Sequence, residues 1–290
     1  MIRYLLYPLT WLFSIIIYGR NLLYNWNLLP KINSNLPIVS VGNIQAGGTG
    51  KTPFVIAICK QLTSHNIKPV IITRGYKRNT KHQIILNNLE QYSAEEVGDE
   101  PYYMKYVLKS IPIIIDHNKK NAVKTANQLS NIDCIILDDG FQSRYINKNI
   151  DIVLTSFSQI NNFSLMPFGM FREPISSLKR ADFIYNTKEK KQNEHLLTEC
   201  FQLIKYKQGK IESEAEINNT DSVIIFSGIA NPNHFNKILK NMSIKIEKSI
   251  VFENHAKYNA AKYDKLKKLN PKNLIFITTY KDFVKLNDIF

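Results

Sequence analysis

The stretch "VSVGNIQAGGTGKTPFVIAICKQL", Val39 to Leu62, decides the fold. It opens with an apolar run that contains β-branched side chains, which predicts a buried strand, and "FVIAICKQL" has the spacing of a helix. Between them, "QAGGTGKT" fits the phosphate-loop pattern G-x-x-x-x-G-K-[ST], except that Gln45 replaces the first glycine. A strand, a glycine-rich turn and a helix are what such a loop requires, so this segment predicts a nucleotide-binding α/β protein.

The chemistry of a phosphate loop depends on the residues that follow Gln45. Glycines allow backbone N–H groups to point at phosphate oxygens, Lys51 can neutralise the β- and γ-phosphates, and the Thr52 hydroxyl can bind Mg²⁺. The positive end of the following helix adds to the attraction. A glycine-rich turn without a ligand is the less favoured alternative. The predicted phosphate-binding residues are Gln45, Ala46, Gly47, Gly48, Thr49, Gly50, Lys51 and Thr52.

Strands and helices alternate along the chain after Pro30. The runs "LPIVSV", "KPVIIT", "IPIIID" and "IDCIILDD" are typical of buried strands, and helical segments separate them. This alternation predicts an α/β fold with a P-loop-type parallel sheet, flanking helices and right-handed crossovers. Further strands begin at Ile150, so we expect a second, smaller α/β lobe and a ligand cleft between the lobes. The predicted domains are residues 1–29, an N-terminal hydrophobic helix at a membrane interface; 30–150, the P-loop core; and 151–290, the second lobe.

Two adjacent carboxylates end one of the predicted strands. Asp138 and Asp139 follow the apolar run "CIIL", at a strand end where an acidic partner of the glycine loop is expected. Mg²⁺ prefers a few carboxylates together with phosphate and water oxygens. An Asp-Asp-Gly sequence can also form an ordinary turn, but together with a phosphate loop the pair favours a magnesium site.

The N-terminal segment is uncharged and rich in aromatic residues. "YLLYPLTWLFSIIIY", Tyr4 to Tyr18, has no charged residue and lies between Arg3 and Arg20. As a helix it would extend about 22 Å, short of the roughly 30 Å of hydrocarbon in a bilayer. Its aromatic side chains suit the headgroup depth, which favours a helix that lies in the membrane interface. A buried core helix and a full span remain open, and no cleavage site typical of a signal peptide follows.

Composition narrows the choice of partner and compartment. The net charge is +14, from 38 Lys and Arg against 24 Asp and Glu, which favours nucleic acid, an anionic membrane surface or a phosphorylated substrate. The sequence has no zinc-finger spacing, RNP-like aromatic motif or leucine-zipper heptad to support nucleic acid. Its 3 cysteines include no C-x-x-C pair, which argues against a disulfide framework or zinc site and fits a reducing cytosol.

Other polar residues are ambiguous on their own. Asp99 in "VGDEP" stands where a helix cap is equally expected. His255 in "FENHAKY" is an isolated histidine, a type that is often structural. Arg172 and Glu173 in "FREP" could bind a phosphate or form an ion pair in a loop. The residues alone leave these roles open.

Taken together, the motifs resemble one family, the tetraacyldisaccharide 4'-kinases of lipid A biosynthesis (LpxK). The resemblance extends from the N-terminal hydrophobic segment almost to the C-terminus. It rests on the following stretches, in family order: "VGNIQAGGTGKTP", "TRGY", "VGDEP", "LDDGFQ", "PFGMFREPISSLKRAD", "FSGIANPNHF", "FENHAKY" and "TTYKDFVKL". The family also lacks the first glycine of the phosphate loop, so Gln45 fits the pattern.

The resemblance implies an enzyme at the cytoplasmic face of the inner membrane that uses ATP and Mg²⁺. It would transfer the γ-phosphate to the 4'-hydroxyl of an acylated glucosamine disaccharide 1-phosphate, as a monomer that meets the membrane surface and no nucleic acid. The implied catalytic residues are Lys51, the general base Asp99 and its partner His255. The implied nucleotide-binding residues are those of the loop with Asp138, Asp139, Arg172 and Glu173. The implied metal ligands are Thr52, Asp138, Asp139 and Glu173.

The chain departs from the family pattern at three positions outside the loop. Asn254 replaces an aspartate before His255, Ser143 replaces a histidine after "DDGFQ", and Tyr280 replaces an acidic residue near the C-terminus. Asparagine can orient an imidazole but cannot stabilise its cation by charge, so we expect a weaker pair with Asp99. The rival class is a membrane-associated P-loop switch ATPase, which would carry a lysine at the position of Ala46. A GTPase would show an N-K-x-D motif, which the sequence lacks.

Overall fold

The chain divides into two compact units. A computed structural model describes residues 7–156, 164–187, 204–207, 210–214, 222–229, 232–253, 256, 258–271, 274–283 and 286. The first unit is Met1–Thr198 and the second is Glu199–Phe290.

The helices of the first unit are α1 (Tyr7–Asn25), α2 (Lys51–Ser64), α3 (Ala94–Val97), α4 (Asp99–Val107) and α5 (Lys119–Ala126). Its strands are β1 (Ile38–Gly42), β2 (Pro69–Thr73), β3 (Ile84–Leu86), β4 (Ile113–Ile115), β5 (Cys134–Asp138), β6 (Ile150–Thr155) and β7 (Phe183–Asn186).

The first unit is built on one seven-stranded sheet in the order β3-β4-β2-β5-β1-β6-β7. Neighbouring strands are parallel except β3 and β4. Both faces of this sheet are covered, so its strands have apolar, isoleucine-rich sequences, and β5 is buried at every residue. Residues of α2 and α4, among them Val55 and Met104, pack on one face, and Val123 of α5 packs on the other. The predicted mixed α/β architecture with a large, mostly parallel sheet is confirmed.

The order of the strands brings the glycine loop to the acidic pair. β1 lies directly beside β5, with Val41 opposite Asp138. From β1 the chain continues to β2, which lies on the same side of β1 as β5. From β5 it continues to β6, which lies on the opposite side of β1. Ligands of open α/β sheets bind at the carboxyl ends of the strands where the direction reverses in this way. The loop after β1 and the carboxylates after β5 therefore share one edge of the sheet.

The first sheet extends beyond the boundary that the sequence predicted at residue 150. β6 pairs with β1 through Val39 and Ile150, and β7 pairs with β6 through Ile152 and Phe183. The division between the units falls instead between Thr198 and Glu199. The reason is that β6, a largely buried strand, pairs with β1 across more than a hundred residues, and local sequence patterns do not show such a pairing.

The second unit has its own sheet. Its strands are β8 (Ile204–Lys207), β9 (Lys210–Glu214), β10 (Ser222–Ser227), β11 (Lys245–Val251) and β12 (Ile275–Thr278), and its helices are α6 (Pro232–Asn241), α7 (Ala260–Lys268) and α8 (Tyr280–Phe283). β10 lies between β11 and β12, and all three are parallel. Leu239 of α6 packs on this sheet beside Val223 and Ile225. β8 and β9 pair as a separate antiparallel hairpin.

Candidate active site

The glycine loop has the backbone that an anion site needs. Gly47 and Gly50 have φ values of 113° and 77°, in the left-handed region that favours glycine. Gly50 is the N-cap of α2, so the first free N–H groups of that helix face the loop. Asn43 donates to the hydroxyl of Thr49 over 2.9 Å, which fixes the turn from the inside. Lys51 begins the helix, and Thr52 beside it is buried.

The side chain of Gln45 supports the loop from behind. It is 5% exposed and bonds the backbone of Ser156 at the end of β6: its amide nitrogen donates to the carbonyl over 3.4 Å, and its oxygen accepts the N–H over 3.3 Å. Ala46 donates its N–H to the carbonyl of Met170 over 2.7 Å. A glycine at position 45 would leave the backbone of Ser156 without this partner. The replacement of the first glycine therefore has a structural role.

Asp139 lies between two cations. One of its carboxylate oxygens is 3.4 Å from the ammonium of Lys51, and Arg172 Nη1 donates to both oxygens over 3.0 and 2.9 Å. Burial by itself would raise the pKa of Asp139, but attraction to Lys51 and Arg172 outweighs it and lowers that pKa to about 2. Asp139 is therefore ionised throughout the physiological range and holds Lys51 and Arg172 on one side of the loop.

Asp138 is in a different environment from its neighbour. Its side chain is buried and accepts a hydrogen bond from the Thr73 hydroxyl over 2.8 Å. Burial, followed by repulsion from Glu100 and Asp139, raises the pKa of Asp138 to about 6. Its other oxygen has no hydrogen-bond partner among the described residues. This buried oxygen has a free lone pair and lies beside the ionised carboxylate of Asp139. Such a pair of carboxylates could bind Mg²⁺, either directly or through a water on the metal.

Lys119 is a site residue that the sequence analysis missed. It is 3% exposed, and its ammonium donates to the backbone carbonyls of Asp138 and Asp139 over 2.7 and 2.6 Å. Burial lowers its pKa to about 8. The ammonium thus fixes the turn that carries both carboxylates. The available signal was its position, because Lys119 starts a helix directly after a buried strand, at the same edge of the sheet as the loop.

The structure places Arg172 and Glu173 in opposite directions. Arg172 donates its N–H to the carbonyl of Ile44 over 2.8 Å and directs its guanidinium to Asp139. Glu173 is fully buried, and its carboxylate binds Arg20, Asn21 and Arg180. The structure therefore brings Arg172 to the loop, as the prediction requires. It places Glu173 against α1, where donors from that helix and from Arg180 occupy both oxygens, so the described contacts do not support Glu173 as a metal ligand.

Of the implied general base Asp99 and its partner His255, the structure describes only Asp99. Asp99 is the first residue of α4, half-buried, after Gly98 with φ 95°. Its neighbour Glu100 is close enough to Asp138 to raise the pKa of that carboxyl, which places the start of α4 near the acidic pair. His255 and Asn254 lie outside the described residues, so the predicted pairing with Asp99 stays a prediction.

Asp282 bonds Tyr258, three residues after position 255, to other parts of the second unit. This carboxylate is fully buried and accepts hydrogen bonds from the N–H of Gly228, over 3.0 Å, and from the Tyr258 hydroxyl, also over 3.0 Å. The Thr279 hydroxyl donates to it over 2.6 Å. These three donors occupy both oxygens of Asp282, which gives it a structural role, and it lies in the quoted segment "TTYKDFVKL".

The site as a whole is suited to a polyphosphate. The loop presents N–H groups and a helix N-terminus, and Lys51 and Arg172 add two cations beside it. Asp138 and Asp139 bring carboxylate oxygens to the end of the neighbouring strand, and such oxygens are ligands that Mg²⁺ prefers. Phosphoryl transfer depends on alignment and charge stabilisation more than on covalent chemistry by the protein, and this set of groups supplies both.

Comparisons with known proteins point to one family. A family model described as "LpxK: Tetraacyldisaccharide-1-P 4'-kinase" matches residues 2–290. Among similar proteins, a tetraacyldisaccharide 4'-kinase of Psychromonas ingrahamii is 33% identical over 98% of this chain and 87% of its own length. One of Aquifex aeolicus is 32% identical over 99% and 90%. A crystal structure of the "apo" form of LpxK from Aquifex aeolicus in complex with ATP aligns with a TM-score of 0.81 at 30% identity, over 99% of this chain and 91% of that one.

Proposed function

The chain belongs to the tetraacyldisaccharide-1-phosphate 4'-kinase (LpxK) family, and we propose how its own residues carry out that activity. It is a phosphotransferase of lipid A biosynthesis that uses ATP, and its acceptor is the 4'-hydroxyl of a tetraacyldisaccharide 1-phosphate. The observation that carries the proposal is the cluster of Lys51, Asp139 and Arg172 at the start of α2. Its two cations would lie beside the transferring phosphoryl group, where negative charge develops.

The loop and its cations would bind the triphosphate. The N–H groups at the start of α2 would receive the β-phosphate, and Lys51 would contact the β- and γ-phosphates. Arg172 can exchange one of its bonds to Asp139 for a γ-phosphate oxygen, since a single guanidinium nitrogen now makes both contacts. Thr52, Asp138 and Asp139 would hold Mg²⁺, which supplies charge neutralisation between the β- and γ-phosphates when it is bound.

The two carboxylates would have unequal roles. Asp139, with its pKa lowered to about 2, is a permanent anion that orients Lys51 and Arg172. Asp138, with its pKa raised to about 6, would bind a metal cation less readily at acidic pH, because protons compete for the same oxygen. Lys119 keeps both backbone carbonyls in place beneath them.

The acceptor hydroxyl needs a base, and Asp99 is our candidate. It lies at the start of α4, next to Glu100, whose charge acts on Asp138. A carboxylate is a weak base toward a hydroxyl, so a histidine that shares the proton would help, and we assign that role to His255 by family resemblance. Asn254 would orient the imidazole without stabilising its cation by charge.

Helix α1 is our candidate for contact with the membrane. Several of its large apolar side chains are exposed, among them Trp11 at 70% and Tyr18 at 65%. No helix in the described part of the chain combines the length and apolar character needed to cross a bilayer. We propose that α1 lies in the interface at the cytoplasmic face of the inner membrane. The net charge of +14 would assist contact with an anionic surface, and we propose a monomer.

A transfer assay tests the function. The protein is incubated with [γ-³²P]ATP, Mg²⁺ and a tetraacyldisaccharide 1-phosphate in detergent micelles, and the lipid is separated and counted. We expect labelled lipid with the wild type, none with Lys51→Ala, and a strong reduction with Asp99→Asn. Lys60→Ala, at an exposed position of the same helix, is the control and should retain activity. Rapid ATP hydrolysis without acceptor and without labelled lipid would instead support a P-loop switch ATPase.

A further inference from the structure

We propose that Glu173 is a positioning residue that joins helix α1 to Arg172, so that α1 is part of the phosphate-transfer site. The inference rests on the proposed role of Arg172 at the γ-phosphate. It replaces the prediction that Glu173 binds the metal, and it assigns α1 a second role besides contact with lipid.

The contacts of Glu173 define what we call the Glu173 cluster: Glu173, Arg20, Asn21 and Arg180. The carboxylate is 0% exposed. One oxygen accepts from Arg20 Nη2 over 3.1 Å, and the other accepts from Asn21 Nδ2 over 3.1 Å and from Arg180 Nη2 over 2.7 Å. A buried carboxylate with charge-assisted bonds from several directions is held in one orientation, because leaving any of these bonds unmade is costly. Arg20 and Asn21 belong to α1, so the helix fixes Glu173.

The fixed position of Glu173 is passed to Arg172 through the backbone. Consecutive Cα atoms are only about 3.8 Å apart, so a shift of Glu173 displaces its neighbour. Arg172 has little freedom to absorb that shift, since its N–H is bonded over 2.8 Å to Ile44, which directly precedes the phosphate loop, and its guanidinium is bonded to Asp139. Loss of the bonds from α1 would therefore move the guanidinium relative to the loop.

The cluster also contacts the turn that follows the acidic pair. The guanidinium of Arg180 lies 4.4 Å from the centre of the Phe141 ring, and Phe141 follows Asp139 by two residues. Farther along the same segment, Arg144 donates to the Asn21 carbonyl over 2.8 Å and to the Asn25 side chain over 2.8 Å. Helix α1 is thus bonded to the segments that follow both halves of the site.

A double-mutant cycle between Arg20 and Arg172 tests this proposal. Wild type, Arg20→Met, Arg172→Met and the double variant are compared for kcat and for the KM of the acceptor in detergent micelles at saturating ATP. We expect Arg20→Met to lower kcat at least about tenfold while the KM of the acceptor changes less than about threefold. Because Arg20 acts through Arg172, the double variant should be no slower than Arg172→Met alone, within about twofold.

Matched variants separate positioning from general stability. Arg20→Lys keeps a charged donor and should recover most of kcat, and Lys60→Met removes an exposed cation elsewhere in the first unit and should leave kcat unchanged. Glu173→Gln should lower kcat in the same direction as Arg20→Met. If it does not fold, judged by circular dichroism, Arg20→Met still decides the question, because it leaves Glu173 bonded to Asn21 and Arg180.

The outcomes are distinguishable. If the wild type transfers phosphate but Arg20→Met multiplies its loss onto that of Arg172→Met, Arg20 and Arg172 act independently and the proposal is wrong. If Arg20→Met raises the KM of the acceptor and leaves kcat unchanged, α1 serves lipid binding alone and the proposal is again wrong. If the wild type transfers no phosphate to the lipid, the proposed function itself fails, independently of this cycle.

Discussion

Replacing Gln45 with glycine restores the standard phosphate-loop pattern, yet we expect the variant to be less stable. The Gln45 side chain makes two buried hydrogen bonds to the backbone of Ser156, of 3.4 and 3.3 Å, and Ser156 is 1% exposed. A buried N–H or C=O left unpaired costs about 1–3 kcal/mol, and these bonds are long, so about 1 kcal/mol each is appropriate. Glycine adds about 0.5–1 kcal/mol of backbone entropy. The expected loss is about 2.5–3 kcal/mol.

The assay is urea unfolding followed by far-ultraviolet circular dichroism and by tryptophan fluorescence. Both tryptophans, Trp11 and Trp26, lie in or next to α1 and report on the first unit. Ala46→Gly is the matched control, since it adds the same backbone freedom at the next position and should cost only about 0.5–1 kcal/mol. ATP affinity should change less than about threefold in Gln45→Gly, because the side chain faces Ser156. A stability equal to that of Ala46→Gly would refute the structural role of Gln45.

Three further predictions concern other parts of the first unit. Burial raises the pKa of Cys59 to about 12 and that of Cys134 to about 11. Neither thiol should therefore be alkylated by iodoacetamide at pH 8 until urea is added, which peptide mass spectrometry would show. Labelling of either thiol in the native protein would contradict this prediction. Lys119→Met leaves two carbonyls of the acidic turn unpaired and should lower kcat at least about tenfold, with Lys119→Arg less affected; full activity of Lys119→Met would exclude the role. Trp11→Asp changes a residue that is 70% exposed, so it should weaken sedimentation with anionic liposomes while the melting temperature stays within about 2 °C; unchanged sedimentation would remove Trp11 from the interface.

The sequence was sufficient for the parts of the site that depend on local pattern. The strand, glycine turn and helix around Lys51 follow from hydrophobic periodicity, and Asp138 and Asp139 follow from their place at the end of a buried run. The parallel sheet then brings the two segments together, because neighbouring parallel strands end at the same edge. Lys51 and Asp139 are accordingly in contact in the structure.

The parts that sequence reasoning missed depend on contacts between distant residues. The pairing of β6 with β1 and the bond from Arg20 to Glu173 each join segments more than a hundred residues apart, and no local spacing encodes them. Lys119 was missed because its ammonium binds backbone carbonyls. Every residue has a backbone carbonyl, so the amino-acid types do not indicate such a bond. The family resemblance implied roles for Glu173 but did not show which residues its carboxylate contacts. Only the fold shows that the carboxylate is bonded to α1.

The most direct test of the central claim is the identity of the phosphorylated product. The wild-type protein is incubated with ATP, Mg²⁺ and a tetraacyldisaccharide 1-phosphate, and the lipid is analysed by mass spectrometry and by ³¹P–¹H correlation NMR. The account predicts one added phosphate, coupled to the proton at the 4'-carbon, in the wild type and in Lys60→Ala, and none in Lys51→Ala. Phosphate at another position, or ATP consumption with no phosphorylated lipid, would contradict it.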